Sequence, residues 1–118
     1  MTYVLLIYRA SAAGTKPAGL DEPASLRGHR ALQTETSKLG ELHAVARLSE
    51  SREARTVKRN AGAHEITDGP FVETKEWLVG FYVIDCANEE EAMTRAKLIC
   101  ADDEHAIEVR PVTWRWKP

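Results

Sequence analysis

The chain has 118 residues, 43% of them hydrophobic, and a formal net charge of −2 at pH 7, which is the size and make-up of one globular domain. The near-neutral balance gives no electrostatic ground for nucleic-acid binding, and no apolar run is long enough to span a membrane. The apolar start, residues 1–8, lacks the basic flank and length of a secretory signal. A cytoplasmic location is therefore expected, with Cys86 and Cys100 as reduced, buried thiols rather than a disulfide or a metal-ligand pair.

Residues 2–8 are rich in β-branched and aromatic side chains and apolar on both parities, the pattern of a strand covered on both faces. Residues 9–20, small and containing Gly and Pro, read as a loop. A helix is expected from Glu22 to Leu39, with Asp21 as N-cap, Pro23 tolerated in the first turn and Gly40 beyond the end. Leu26, His29, Leu32 and Leu39 fall on one side of it, so His29 faces the sheet within an aliphatic stripe. Residues 41–48 form a second strand. Residues 54–58 and 63–67, joined by a Gly-containing turn at 59–62, form a polar hairpin at an edge or in an exposed flap, with the basic cluster Arg52, Arg55, Lys58 and Arg59.

The run from Trp77 to Cys86 is the strongest strand pattern, again apolar on both parities, with Gly80 allowing close backbone approach or a bulge. Asn88 then caps a second helix, and Glu91 completes a capping box. Ala92, Met93, Ala96, Ile99 and Cys100 supply its apolar stripe. After the acidic turn Asp102-Asp103-Glu104, residues 105–112 form the last strand, followed by an aromatic tail carrying Trp114 and Trp116, expected at a subunit interface.

Without the hairpin the order is βαββαβ, an α+β, ferredoxin-like pattern with an inserted short β-hairpin. Two helices cover one sheet face only. The strands at 2–8 and 77–86 are apolar on both, so the second face is expected to pack on another copy in a homodimer.

Between the hairpin and that strongest strand lies Asp68-Gly69-Pro70, a turn signal, followed by the polar cluster Glu73, Thr74, Lys75 and Glu76. His29 is the candidate general acid or base because its ordinary pKa lies near neutrality, and it needs a carboxylate within hydrogen-bond reach. Asp68 is the expected partner. Tyr8 and Arg9 at the end of the first strand, Phe71 as a plug onto the core, and Lys75 as a cation for ligand charge complete the expected pocket. The four histidines, His29, His43, His64 and His105, show no zinc-type spacing. No phosphate-binding, dinucleotide or Ser-hydrolase motif occurs, so no metal and no cofactor are expected.

T-D-G-P-F-V-E-T-K-E at 67–76, followed by W-L-V-G-F-Y-V-I-D, resembles the DGPF signature of the YCII-related family. Y-V-L-L-I-Y-R at the start, the His29 helix and E-V-R-P-V at 108–112 fit the same pattern. The resemblance covers essentially the whole chain as one YCII-related (DGPF) domain. It implies a ferredoxin-like fold of the dimeric α+β barrel type and a His–Asp pair, His29 and Asp68 here. The chain departs from the pattern after the second strand, at Val79 and at His105. Relatives of the fold include cofactor-free lyase- and isomerase-like enzymes of aromatic catabolism, and many DGPF members resemble accessories of extracytoplasmic-function sigma factors. Two functions follow as expectations: a cofactor-free acid/base enzyme acting on a small, anionic or aromatic molecule, or a non-catalytic dimeric module that binds a ligand or a protein such as a sigma factor.

Overall fold

The computed structural model describes residues 1–10, 24–71 and 76–116. Six strands and two helices are present among them: β1 (Thr2–Ala10), α1 (Ala24–Lys38), β2 (Leu42–Arg47), β3 (Arg55–Asn60), β4 (Ala63–Asp68), β5 (Glu76–Asp85), α2 (Glu89–Ile99) and β6 (His105–Pro111). A single 3-10 turn at Ser51–Glu53 leads into β3. The expected start of the first helix, with Asp21, Glu22 and Pro23, lies outside the described residues, as do Glu73, Thr74 and Lys75.

The result is an α+β fold with a four-stranded sheet in the order β2-β5-β1-β6 and a separate two-stranded sheet, β3-β4. Every pairing is antiparallel. The apolar runs at β1 and β5 take the two central positions, as their two-faced hydrophobicity requires. β1 runs two residues further than the sequence pattern suggests, because Arg9 and Ala10 stay paired with Trp77 and Glu76.

Cross-strand register turns the sheet into rows. On the face covered by helices, Tyr82, Leu5 and Val109 form one row, Gly80, Ile7 and Ile107 the next, and Trp77, Arg9 and His105 the last. An irregularity between Ile7 and Tyr8, opposite Val79, keeps the parity of β1 while β5 slips by one residue. The core is built from Tyr3, Leu5, Ile7, Tyr82, Ile84 and Cys86 of this face, with Leu32 of α1 and Ala92, Ala96 and Ile99 of α2 packed on them. The other face carries Val4, Leu6, Phe81 and Val83, all partly exposed, edged by Asp85, Glu108 and Arg110.

Each helix buries part of the stripe the apolar residues suggest (Leu32 in α1; Ala92, Ala96 and Ile99 in α2), together with polar residues outside it. In α1 the buried positions are Gly28, Leu32 and Thr36, at i, i+4 and i+8, whereas Leu26 and Leu39 are exposed. Thr36 is tolerated there because its hydroxyl donates to the Leu32 carbonyl at 2.7 Å. Gly28 is required because a Cβ would collide with the Leu98 carbonyl oxygen of α2. In α2 Ala92, Arg95, Ala96 and Ile99 are buried, while Met93 and Cys100 are exposed. The expectation of two buried thiols therefore holds for Cys86 alone.

Arg95 is buried because every direction of its guanidinium is answered. Nη1 donates to the Asp85 carbonyl at 2.8 Å, Nη2 to Glu41 Oε1 at 2.6 Å, and Glu91 lies 3.4 Å away. This fork ties α2 to the ends of β5 and β2. The α2 cap forms as the sequence indicates: Asn88 Oδ1 accepts from the Glu91 N–H at 2.8 Å. The Glu91 carboxylate reaches back one residue further than in the usual box, accepting from the Ala87 N–H at 3.0 Å.

Candidate functional site

His29 sits on the sheet-facing side of α1, half-buried, and stacks nearly parallel on the Tyr82 ring, with centroids 5.6 Å apart and planes 9° from parallel. Its Nδ1 lies 2.7 Å from the Tyr82 hydroxyl. Gln33, one turn along the helix, donates its side-chain N–H to the same hydroxyl at 3.0 Å. Tyr82 is fully buried, so its own O–H needs an acceptor, and His29 Nδ1 supplies it. The chain of bonds runs Gln33 to Tyr82 to His29, which leaves the imidazole proton on Nε2. Burial, and secondarily the like charge of His105, hold the His29 pKa below its ordinary value. Burial raises that of Tyr82, with the Gln33 bond acting against it. At neutral pH the pair is therefore an uncharged phenol and an uncharged imidazole, fixed in orientation.

Beside this pair in the sheet lies the row of Gly80, Ile7 and Ile107. Gly80 is a packing requirement, since a Cβ there would lie 2.8 Å from the Ala46 carbonyl oxygen. The next row is Trp77, Arg9 and His105.

Asp68 does not turn toward His29. Residues Arg55 and Asp68 are cross-strand partners at the root of the β3–β4 hairpin. Their side chains pair across it at 3.4 Å, with the Asp68 side chain 92% exposed. Two other His–Asp pairs form instead. His105 Nδ1 lies 2.8 and 3.0 Å from the two Asp102 oxygens, and His43 Nε2 lies 2.8 Å from Asp85. For Asp102, burial raises the pKa but the bonds from His105 and from the Glu104 and His105 backbone outweigh it, leaving it below the usual carboxylate value. Asp85 is likewise held low by Thr2 and His43 against the effect of burial.

Tyr8 and Arg9 do not share a pocket, because adjacent residues of a strand point to opposite faces. Arg9 belongs to the helix-covered face. Tyr8 lines an open cavity of about 280 Å3 on the other face with Glu76, Ala106, Ile107 and Glu108. Burial and then the Glu108 carboxylate raise its phenol pKa. Phe71 does not plug the core: it is 70% exposed, with the Lys58 ammonium 5.7 Å from its ring centroid. Lys75 lies outside the described residues. No group of three or more His, Cys, Asp or Glu able to hold a metal occurs among the described residues, and none of their helices is long and apolar enough to cross a membrane.

Sequence comparison gives these side chains a family context. The model of the YCII-related domain matches residues 1–117. The chain belongs to the YCII-related family. It is also 35% identical over 114 residues to an uncharacterized protein of Rhizobium meliloti (strain 1021), covering 95% of this chain and 92% of that protein. Within this YCII-related chain, His29 lies on the sheet-facing side of its helix as the sequence pattern places it. Tyr82 and Arg110 are legible as residues of strands neighbouring the expected pocket, and Gln33, Asp102 and Arg95 are not singled out by the pattern as site residues. Tyr82 was legible in one respect: it sits two residues from Gly80 on the same strand face, where a polar-tipped aromatic in a two-faced strand needs a partner. Gln33, at i+4 from His29, was the sequence's own pointer to a shared bond.

Proposed function

We propose that this YCII-related protein handles a small molecule, without a cofactor, between α1 and the sheet, with the His29 Nε2–H donating to an oxygen of that molecule and so acidifying the carbon beside it, whose proton leaves to solvent water. The observation that carries this reading is the His29–Tyr82 arrangement. A half-buried imidazole is oriented by stacking and by one hydrogen bond at 2.7 Å, and is kept neutral near pH 7. An imidazole in that state donates from Nε2 to a developing oxyanion, as a general acid, more readily than it accumulates positive charge. In this reading Tyr82 takes the orienting place first assigned to Asp68. The strand order supports a ferredoxin-like arrangement of one domain, and the partly exposed Val4, Leu6, Phe81 and Val83 support pairing of that face with a second copy.

The test uses α-protonated carbonyl compounds, aromatic and aliphatic, incubated with the protein in D2O and followed by proton NMR for exchange or elimination. The expected result is turnover that His29→Gln abolishes while the far-UV spectrum and melting temperature stay close to those of the parent. Undiminished turnover in that variant sinks the assignment.

A non-catalytic protein-binding role is favoured by one separate observation. Every residue of the β3–β4 hairpin strands is exposed except Thr56, and Val57 and Ile66 face each other across it at 63% and 60% exposure. A two-stranded hairpin is marginal alone, and a partner such as a sigma factor would cover that pair. Co-purification of a stoichiometric partner, lost on Val57→Asp, supports this reading. An unchanged complex removes the hairpin from it.

A further inference from the structure

We infer that Arg9 and His105, with Asp102 as a positioning residue, form an anion-binding subsite at the open end of the α1–sheet cleft, which takes the carboxylate of a small organic acid. The inference rests on the cleft reading above and names the substrate class of that same site.

Four observations point to it. Arg9 and His105 are directly opposed across the β1–β6 pair, so both side chains rise from the helix-covered face. Trp77 is opposed to Arg9 on its other side, so Arg9 stands in one cross-strand row between Trp77 and His105. Arg9 Nε is buried and has no hydrogen-bond partner among the described residues. A buried charged donor left unanswered is destabilising, and a ligand carboxylate beside it would remove that cost. Finally, His105 is a fixed group. Both oxygens of Asp102 engage its Nδ1, and Asp102 Oδ1 is itself held by the Glu104 and His105 N–H groups at 2.8 and 3.0 Å. With Nδ1 directed to Asp102, Nε2 is the nitrogen left to meet a ligand.

The same turn is pinned to the end of β1 by the Ala10 N–H donating to the Glu104 carbonyl at 2.7 Å, which holds the row in register. On the same sheet face, the Arg9 row lies one row beyond Gly80 and Ile7 and two beyond Tyr82, the partner of His29. A carboxylate seated between Arg9 and His105 would direct the carbon skeleton of an organic acid along those rows toward His29. The guanidinium selects a planar anion over its neutral amide.

The test compares benzoate with its neutral isostere benzamide, titrated into the full chain near pH 6.5 at constant ionic strength, with the histidine side-chain nitrogen resonances as readout. Benzoate is expected to shift His105 and His29 saturably and to bind roughly tenfold or more tighter than benzamide, as one charge-assisted contact gives. Arg9→Gln is expected to erase that preference. His105→Gln, at a partly exposed position where loss of the fold is less of a risk, is expected to reduce the preference. Asp102→Asn is expected to reduce it too, and to alter the His105 nitrogen pattern. Equal binding of the two probes at His29 overturns the subsite and leaves the cleft reading standing. Absence of any effect of either probe on His29 and His105 overturns both. A benzoate preference that persists in Arg9→Gln and His105→Gln overturns the assignment of these residues.

Discussion

Tyr82→Phe removes a single oxygen from the middle of the proposed site, so its consequences can be worked out atom by atom. The ring is fully buried and the substitution conserves its packing and its stack on His29. What is lost is two hydrogen bonds, at 2.7 Å to His29 Nδ1 and 3.0 Å to Gln33 Nε2. Each is worth on the order of 1 kcal/mol net. Both partners are only half-buried and recover part of that from water, so a destabilisation of about 1–2 kcal/mol is expected, visible in urea unfolding as a lower midpoint at unchanged slope. The pKa of His29 carries the sharper information. If the Tyr82 O–H donates to Nδ1, it stabilises the neutral ring, and its removal raises the His29 pKa toward the ordinary value from its present depressed position. NMR titration of the His29 ring in both proteins reads this directly. A His29 pKa that falls in Tyr82→Phe would mean that the ring donates to the phenol oxygen. The neutral-imidazole reasoning behind the proposed general acid would then be refuted.

Arg95→Ala is expected to destabilise by about 3 kcal/mol, the low end for breaking a buried pair, because Glu41 and Glu91 are 25% and 39% exposed and can rehydrate; a loss below about 0.5 kcal/mol, the range of ordinary surface changes, would contradict the fork. Gly28→Ala drives a Cβ into the Leu98 carbonyl of α2, and thermal unfolding should show a loss of about 1–3 kcal/mol as the helices separate. Stability should also fall with pH in two windows. The depressed pKa of His29 means the unfolded chain binds more protons just below 6.5, so stability drops there as pH falls, and His29→Gln should flatten that limb. Asp85 and Asp102, also depressed, contribute stability that is present above 3.8 and is lost as pH falls through their folded values. A denaturation series from pH 7.5 to 3 with an unchanged slope in His29→Gln would contradict the first of these.

The sequence by itself determined the element order, the two-faced central strands, the polar hairpin, the α2 cap and the family. Each rests on local pattern: parity in β1 and β5, turn chemistry at 59–62, the Asn88–Glu91 spacing. It also placed His29 on the sheet side of its helix, since helical period is a local property. What it could not supply was the partner of a side chain that lies far away along the chain. Asp68 was chosen for His29 because it was the carboxylate in the most polar stretch. The hairpin register, however, sets Asp68 opposite Arg55, and the two charges pair in water at the hairpin root. His29 instead meets Tyr82, 53 positions away, because tertiary packing sets α1 against that strand. The buried stripes of both helices were only partly legible for the same kind of reason. Apolar residues mark a face only if nothing polar on it is satisfied, and Thr36 and Arg95 are satisfied by groups that folding brings to them. Hydrophobic period fixes which elements form. Which polar groups can afford burial is decided only when distant chain segments deliver their hydrogen-bond partners.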